Sequence, residues 1–267
     1  MELRNTQKCA CNSVTRPAVL ITGAGRRIGA CLAEHFGRRD THVFVHVHRS
    51  HEDGENVVAQ IVAAGGAATL VAADLGKADE LAAMVTTILA TGVDLEVVVN
   101  NASYFDYDSA GRADMGVLEK SLDAHVRGPA LIFELLTNRL PGRRLAFFNV
   151  LDQKLVNFNP DYYSYTIGKS GLFAMTRMWQ AAEPPVHRVF GILLGLTLAS
   201  AVQSPENYER ASRSNLLQRA VAPADIAAAI DFFLDNPELP GQNLALDCGE
   251  SLVPRARDVA FDPTLLC

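Results

Sequence analysis

Short apolar runs alternate with longer stretches in which apolar residues recur every three or four positions. Ala18-Val-Leu-Ile21 carries no polar residue, as expected of a parallel strand buried on both faces. Val43–Val47, Ala68–Ala72, Leu95–Val99, Leu145–Phe148 and Val189–Leu193 are mainly apolar and read as further strands, and Asn243–Leu246 as a last short one. Helical periodicity fills the gaps: through Ala33 and Phe36, over Glu55–Ala64 and Asp79–Ala90, through Gly116–Leu136, around Tyr165, and over Ile226–Leu234. Strand and helix alternate with no linker, repeat or shift of composition. The pattern predicts an α/β fold, a Rossmann-like doubly wound parallel sheet in one domain over residues 17–267. Residues 1–16 read as a flexible tail without the apolar core of a signal peptide. Ala199–Arg219 is polar and less regular, and has the look of a lid that closes on a substrate.

Composition narrows the functional classes. A chain of 267 residues, 49% hydrophobic and 20% charged, can bury one large core. Its net charge of −6 weighs against nucleic acid or an anionic membrane as a partner. No apolar run reaches the ~18 residues of a membrane span. The five cysteines (Cys9, Cys11, Cys31, Cys248, Cys267) are odd in number and show no paired zinc spacing. Free thiols in a cytoplasmic protein without a metal site are the expectation.

Candidate chemistry gathers at the ends of the apolar runs. Thr22–Gly29 places Gly23, Gly25 and Gly29, with Arg27 and Ile28, between a strand and a helix. Such a loop lets the backbone approach a pyrophosphate at a helix N-terminus. After the second strand, where a carboxylate would hold the ribose of NAD, the chain reads His48-Arg49-Ser50. Arg49 can grip a 2′-phosphate and Ser50 can add a donor, which favours NADPH; a solvated loop arginine is the plainer alternative. Asp74-Leu75 falls where such folds hold adenine. Asn101, Ala102 and Ser103 follow the fourth strand, able to hold either backbone or cofactor, and Gly195 and Thr197 follow the sixth.

Tyr165 and Lys169, four apart, project from one helical face. An ammonium beside a phenol would draw its pKa down from about 10, suiting it to give a proton while something else delivers a hydride. Asp152 lies upstream. A carboxyl suits the reduction of C=N, whose nitrogen needs a proton, and opposes the oxyanion of a reduced ketone. It could instead cap a helix or pair with Lys154 or Arg143.

From about Pro17 to Leu252 the chain resembles the short-chain dehydrogenase/reductase family. Its loop is closer to that family's Thr-Gly-x3-Gly-x-Gly than to the generic dinucleotide fingerprint. Asn100-Asn-Ala, Tyr165-x3-Lys169 and Asp247-x-Gly249 complete the set. Within the family it looks like the pteridine reductase and dihydromonapterin reductase branch. That resemblance implies Ser103 in contact with cofactor and substrate, and Phe105 stacked on a pterin ring. It also implies Asp152 in place of the family's serine, Arg27 near pterin and phosphates, and Tyr162 as a second active-site tyrosine. The implied activity is NADPH-dependent reduction of a 7,8-dihydropterin by a homotetramer. Alternatives are a carbonyl or 3-oxoacyl reductase, or an NADPH-binding sensor with little turnover. Three positions depart from the pattern. His125 replaces an asparagine of the proton relay, either as a shuttle or as a core histidine. Leu194 stands where proline is usual, and Cys248 where glycine is usual.

Overall fold

The chain alternates as its apolar pattern predicts: β1 (Pro17–Ile21), α1 (Arg27–Gly37), β2 (His42–Val47), α2 (His51–Ala63), β3 (Ala67–Ala72), α3 (Ala78–Ala90) and β4 (Asp94–Asn100). There follow α4 (Met115–Leu122), α5 (Gly128–Arg139), β5 (Ala146–Asp152), α6 (Tyr163–Gln180), β6 (Arg188–Leu194), α7 (Pro205–Ser212), α8 (Pro223–Asp235) and β7 (Asn243–Leu246). In the computed structural model, residues 16–182, 187–262 and 264 are described; the tail expected over residues 1–16 lies outside them, apart from Arg16. All seven strands are parallel, in the order β3-β2-β1-β4-β5-β6-β7. No helix among the described residues is long and apolar enough to cross a membrane.

Successive strand residues point to opposite faces, so each bare apolar run feeds two cores. Val19, Ile21, Val43, Val45, Val99, Phe148 and Ile192 pack with Phe36, Ile61, Ile230 and Phe233, from α1, α2 and α8. Ala18, Leu20, Phe44, Val98, Phe147 and Val189 pack on the other side with Leu81, Met84, Ile88, Ile132 and Leu136, from α3 and α5. The strand order reverses between β1 and β4, which opens a crevice at the carboxyl ends of the central strands.

Three local differences from the sequence pattern shape the site. β5 runs on to Asp152, four residues beyond the apolar run, so that carboxyl stands at a strand end. The helix expected over Gly116–Leu136 is interrupted by a π-helical turn, Asp123–Arg127, whose wider winding carries His125 into the interior. The polar stretch over residues 199–219 contains α7, capped by the Ser204 hydroxyl accepting from the Asn207 amide, with Pro205 in the first turn.

Candidate active site

The crevice is a cavity of about 990 Å³. Its walls bring together Gly23, Gly25, Arg27, Ile28 and Gly29, then His48, Arg49, Ser50, Asp74 and Leu75, then Asn101, Ala102, Ser103 and Phe105. Asp152, Tyr165, Lys169, Gly195 and Thr197 complete them. Every residue expected from the sequence to touch cofactor or substrate lines it except Tyr162. That tyrosine is 2% exposed and lies behind Phe105, the two rings stacked at 4.1 Å. Its hydroxyl has no hydrogen-bond partner among the described residues, and burial pushes the phenol up. Tyr162 therefore backs the aromatic wall instead of reaching the cavity, contrary to the expected direct contact.

The glycine loop is pinned from two sides. Asn101 Nδ2 donates to the Thr22 and Gly23 carbonyls, and Thr22 Oγ1 accepts from the amides of Asn101 and Ala102. Gly23 lies in the left-handed region at φ +64°, and a Cβ there would meet Ala102 Cα at 2.8 Å, so only glycine fits. His46, which the sequence reading passed over, accepts from the Gly23 amide at Nδ1 and bonds the Ala73 carbonyl through Nε2. Burial holds its pKa at about 4, keeping it neutral for that task.

The spacing read in the loop needs correction. The family's middle glycine falls at position 27, where this chain has Arg27, held at φ +55°. That left-handed backbone, uncommon for a residue with a side chain, turns the guanidinium away from its own helix. It donates to the carbonyls of Ala199 at 2.9 Å and Leu198 at 3.5 Å, fastening the segment after β6. Cys248 shows the same substitution, at φ +54° where glycine was expected.

Beyond β2, Arg49 is exposed and makes no hydrogen bond or ion pair with a described residue. His48 Nε2 lies 3.6 Å from an Asp74 carboxylate oxygen. Asp74 also accepts from the Gly76 amide.

At the opposite wall, Tyr165 donates to Asp152 Oδ2 at 2.7 Å. Asp152 Oδ1 accepts from the Lys154 amide at 2.8 Å, so the carboxyl both caps a short turn and holds the phenol. Neither ion pair considered for it forms: Lys154 pairs with Asp258 at 3.0 Å, and Arg143 pairs with Asp94. The expected lowering of the tyrosine pKa is reversed here. Burial and then the Asp152 charge raise the Tyr165 phenol well above its usual value. Lys169 donates to the Val150 carbonyl at 2.6 Å and lies 5.7 Å from the Tyr165 ring centre. Burial lowers its own pKa to about 8. Asp152 keeps a partly exposed face, yet its surroundings are dense enough that desolvation raises it too.

Glu250, also missed, is 4% exposed. It accepts from the Leu196 amide at 2.7 Å and from Gln153 at 3.3 Å, tying the Gly195–Thr197 turn to the end of β5. Burial, with Asp152 and Asp258 nearby, pushes it up to about 7. No local pattern marks these long-range partners; Glu250 shows only as an acid beside Gly249 at a strand end.

Sheet order, glycine loop and the Tyr165–Lys169 pair define a class, and the family comparison agrees. The short chain dehydrogenase model matches residues 17–209, and the chain belongs to that family. Among its relatives, dihydromonapterin reductase of Escherichia coli O6:K15:H31 is 27% identical over 237 residues, covering 88% of this chain and 96% of that protein. FolM alternative dihydrofolate reductase 1 from Brucella suis, solved in complex with NADP, matches with a TM-score of 0.85 at 33% identity. That match covers 91% of this chain and 98% of that one. The angucycline C-6 ketoreductase LanV, with bound NADP, has a TM-score of 0.81 at 24% identity over 90% of this chain and 97% of its own, a likeness of fold alone.

Proposed function

We propose that this protein is an NADPH-dependent reductase that converts a 7,8-dihydropterin to its tetrahydro form by reducing a C=N bond. The observation that carries the reading is the 2.7 Å bond from Tyr165 to Asp152 at the cavity wall. The names of the relatives at 27% and 33% identity support it, as does the NADP bound to the second.

The residues present suit NADPH. Arg49 is an exposed cation with no acidic partner among the described residues, beside Ser50, and is suited to a 2′-phosphate. Among the described residues buried Lys169 bonds only the Val150 carbonyl, leaving it donors for ribose hydroxyls. Gly23, Gly25 and Ile28, with the start of α1, form the phosphate end. Asp74, Leu75 and Ala102 line the adenine side, and Gly195 and Thr197 the nicotinamide side.

NADPH, when bound, supplies a hydride to the carbon of the C=N bond. The nitrogen then needs one proton, which the Tyr165–Asp152 pair holds. Tyr165 remains a phenol because both burial and the carboxylate oppose its ionisation. Asp152, raised by burial and open on one face, takes up a proton from solvent and passes it to the nitrogen, returning to the carboxylate that accepts from Tyr165. Lys169 keeps a positive charge beside the pair while the proton leaves. With Asp152 ionised, a ketone in the same place would develop an oxyanion beside a carboxylate, which is unfavourable. Phe105, 45% exposed with Tyr162 behind it, offers an aromatic face for the pterin ring.

A homotetramer in the cytoplasm belongs to the same reading. The exposed apolar residues Met115 on α4, and Ile167 and Met178 on α6, offer helix surface for subunit contact. NADPH oxidation with dihydromonapterin, dihydrobiopterin, dihydrofolate and acetoacetyl thioester, side by side, tests the activity. Turnover of the thioester with none of the dihydropterins would favour a 3-oxoacyl reductase instead.

A further inference from the structure

Behind the cavity, Ser121, His125 and Ser103 form a hydrogen-bonded chain that none of the roles above uses. Ser121 donates its one hydroxyl proton to the Ser164 carbonyl at 2.8 Å, so toward His125 it can only accept. The 3.1 Å contact between Ser121 Oγ and His125 Nδ1 is then a donation from Nδ1–H. His125 is fully buried, and burial together with the Lys169 charge keeps the ring neutral. With its single proton on Nδ1, the ring has a bare Nε2, which accepts from Ser103 Oγ at 2.9 Å. The Ser103 proton thus points backward. Only lone pairs remain on the face that Ser103, exposed on the cavity wall, presents to a ligand.

Two features of the fold keep this chain in place. The π-helical turn Asp123–Arg127 carries His125 inward. Gly168, between Tyr165 and Lys169 on α6, leaves the room: a Cβ there would meet His125 Nδ1 at 2.7 Å and Ser121 Oγ closer still. The helix that presents the tyrosine and lysine is therefore notched to admit the histidine pair.

We propose that His125 is a positioning residue that fixes Ser103 as a hydrogen-bond acceptor, so that the site selects a ring presenting an exocyclic amino donor and disfavours one presenting a carbonyl there. The assignment rests on the pterin reading and names what distinguishes that ring at this site. His125 does not act as a proton shuttle, since the chain behind it ends at the Ser164 carbonyl, which has no proton to give.

The probe is a matched pair of ligands: pterin, and lumazine, in which an oxo group replaces the amino group. Each is titrated calorimetrically into the full-length protein saturated with NADP. Wild type should bind pterin about 10-fold or more tightly than lumazine, since an acceptor facing a carbonyl is left unpaired. His125→Phe frees the Ser103 proton to turn forward, and the preference should fall to within about 3-fold. His125→Gln, whose amide can donate to Ser121 and accept from Ser103, should restore it. Ser103→Ala should lose the preference as His125→Phe does, and decides the matter if the phenylalanine variant does not fold. Independently, nitrogen NMR of labelled histidine should show His125 with Nδ1 protonated and Nε2 bare at neutral pH. An Nε2–H tautomer or an imidazolium would overturn the proposal, as would a pterin preference that survives in either His125→Phe or Ser103→Ala. Wild type binding neither ligand would sink the pterin reading, while the NMR result would still decide the polarity of Ser103.

Discussion

Replacing Asp152 by asparagine removes a charge and a proton site while keeping the shape of the side chain. The carboxyl makes two bonds, from the Lys154 amide to Oδ1 and from Tyr165 to Oδ2. An asparagine can keep the first with its oxygen, which turns its NH2 toward the phenol and makes Tyr165 accept where it had donated. Both bonds survive in altered form and a buried charge is lost, so melting should shift little. Catalysis should not survive as well. Loss of a general acid costs about 10²–10⁴ in kcat, or roughly 3–5 kcal/mol of transition-state stabilisation. Steady-state NADPH oxidation with a dihydropterin reads kcat, and calorimetry reads NADPH affinity, which should stay within about 3-fold because Asp152 handles the proton. The control is Tyr165→Phe, which removes the shared phenol. Should Asp152→Asn keep kcat within about 5-fold of wild type while Tyr165→Phe abolishes it, the carboxyl is a turn cap and the proton comes from elsewhere.

Three further outcomes follow from the same geometry. Arg49→Ala should weaken NADPH by about 1–3 kcal/mol and leave NADH affinity nearly unchanged, as measured by fluorescence titration; equal losses would make Arg49 structural. Phe105→Ala should raise KM for dihydropterin at little cost to melting temperature. A half-exposed ring forfeits about 0.5–1.5 kcal/mol of aromatic contact, whereas truncating a core phenylalanine costs about 3–5 kcal/mol. Lys169 gives a pH signature. Its folded pKa, about 8, lies below the 10.5 of an ordinary lysine, so the unfolded chain binds more protons between those values and stability rises with pH across that window. Relative to Lys169→Met, denaturant unfolding of the cofactor-free protein should gain roughly 3 kcal/mol from pH 8 to 10.5, and a flat difference would show that the ammonium is not buried.

The architecture was legible because parallel strands buried on both faces leave bare apolar runs, as at Ala18–Ile21, and each run proved to be a strand. Most residues around the cavity were legible for a related reason, since they follow directly on those strand ends, while Tyr165 and Lys169 showed by their spacing on one helix face. What escaped depends on contacts far apart in sequence. His46 sits among apolar strand residues and shows its role only through the Gly23 amide and the Ala73 carbonyl. The direction of the Tyr165 shift turns on burial and on Asp152, thirteen residues away, so a Tyr-x3-Lys spacing could not give it. One extra residue in a helical turn is likewise invisible to periodicity, and it decides which way His125 faces. The helix over Pro205–Ser212 did carry a local signal, since Ser204-Pro205 is a cap followed by a first-turn proline.

Transfer of a labelled hydride tests the proposed chemistry most directly. NADPH deuterated at its transferable position is incubated with the enzyme and a 7,8-dihydropterin, and the pterin is recovered for mass spectrometry and NMR. A tetrahydropterin carrying one deuterium on the carbon of the former C=N bond, formed by wild type and suppressed about 10²-fold or more in Asp152→Asn, is the expected result. Recovery of an unlabelled dihydropterin, with deuterium appearing only in a ketone or thioester offered alongside, would contradict it.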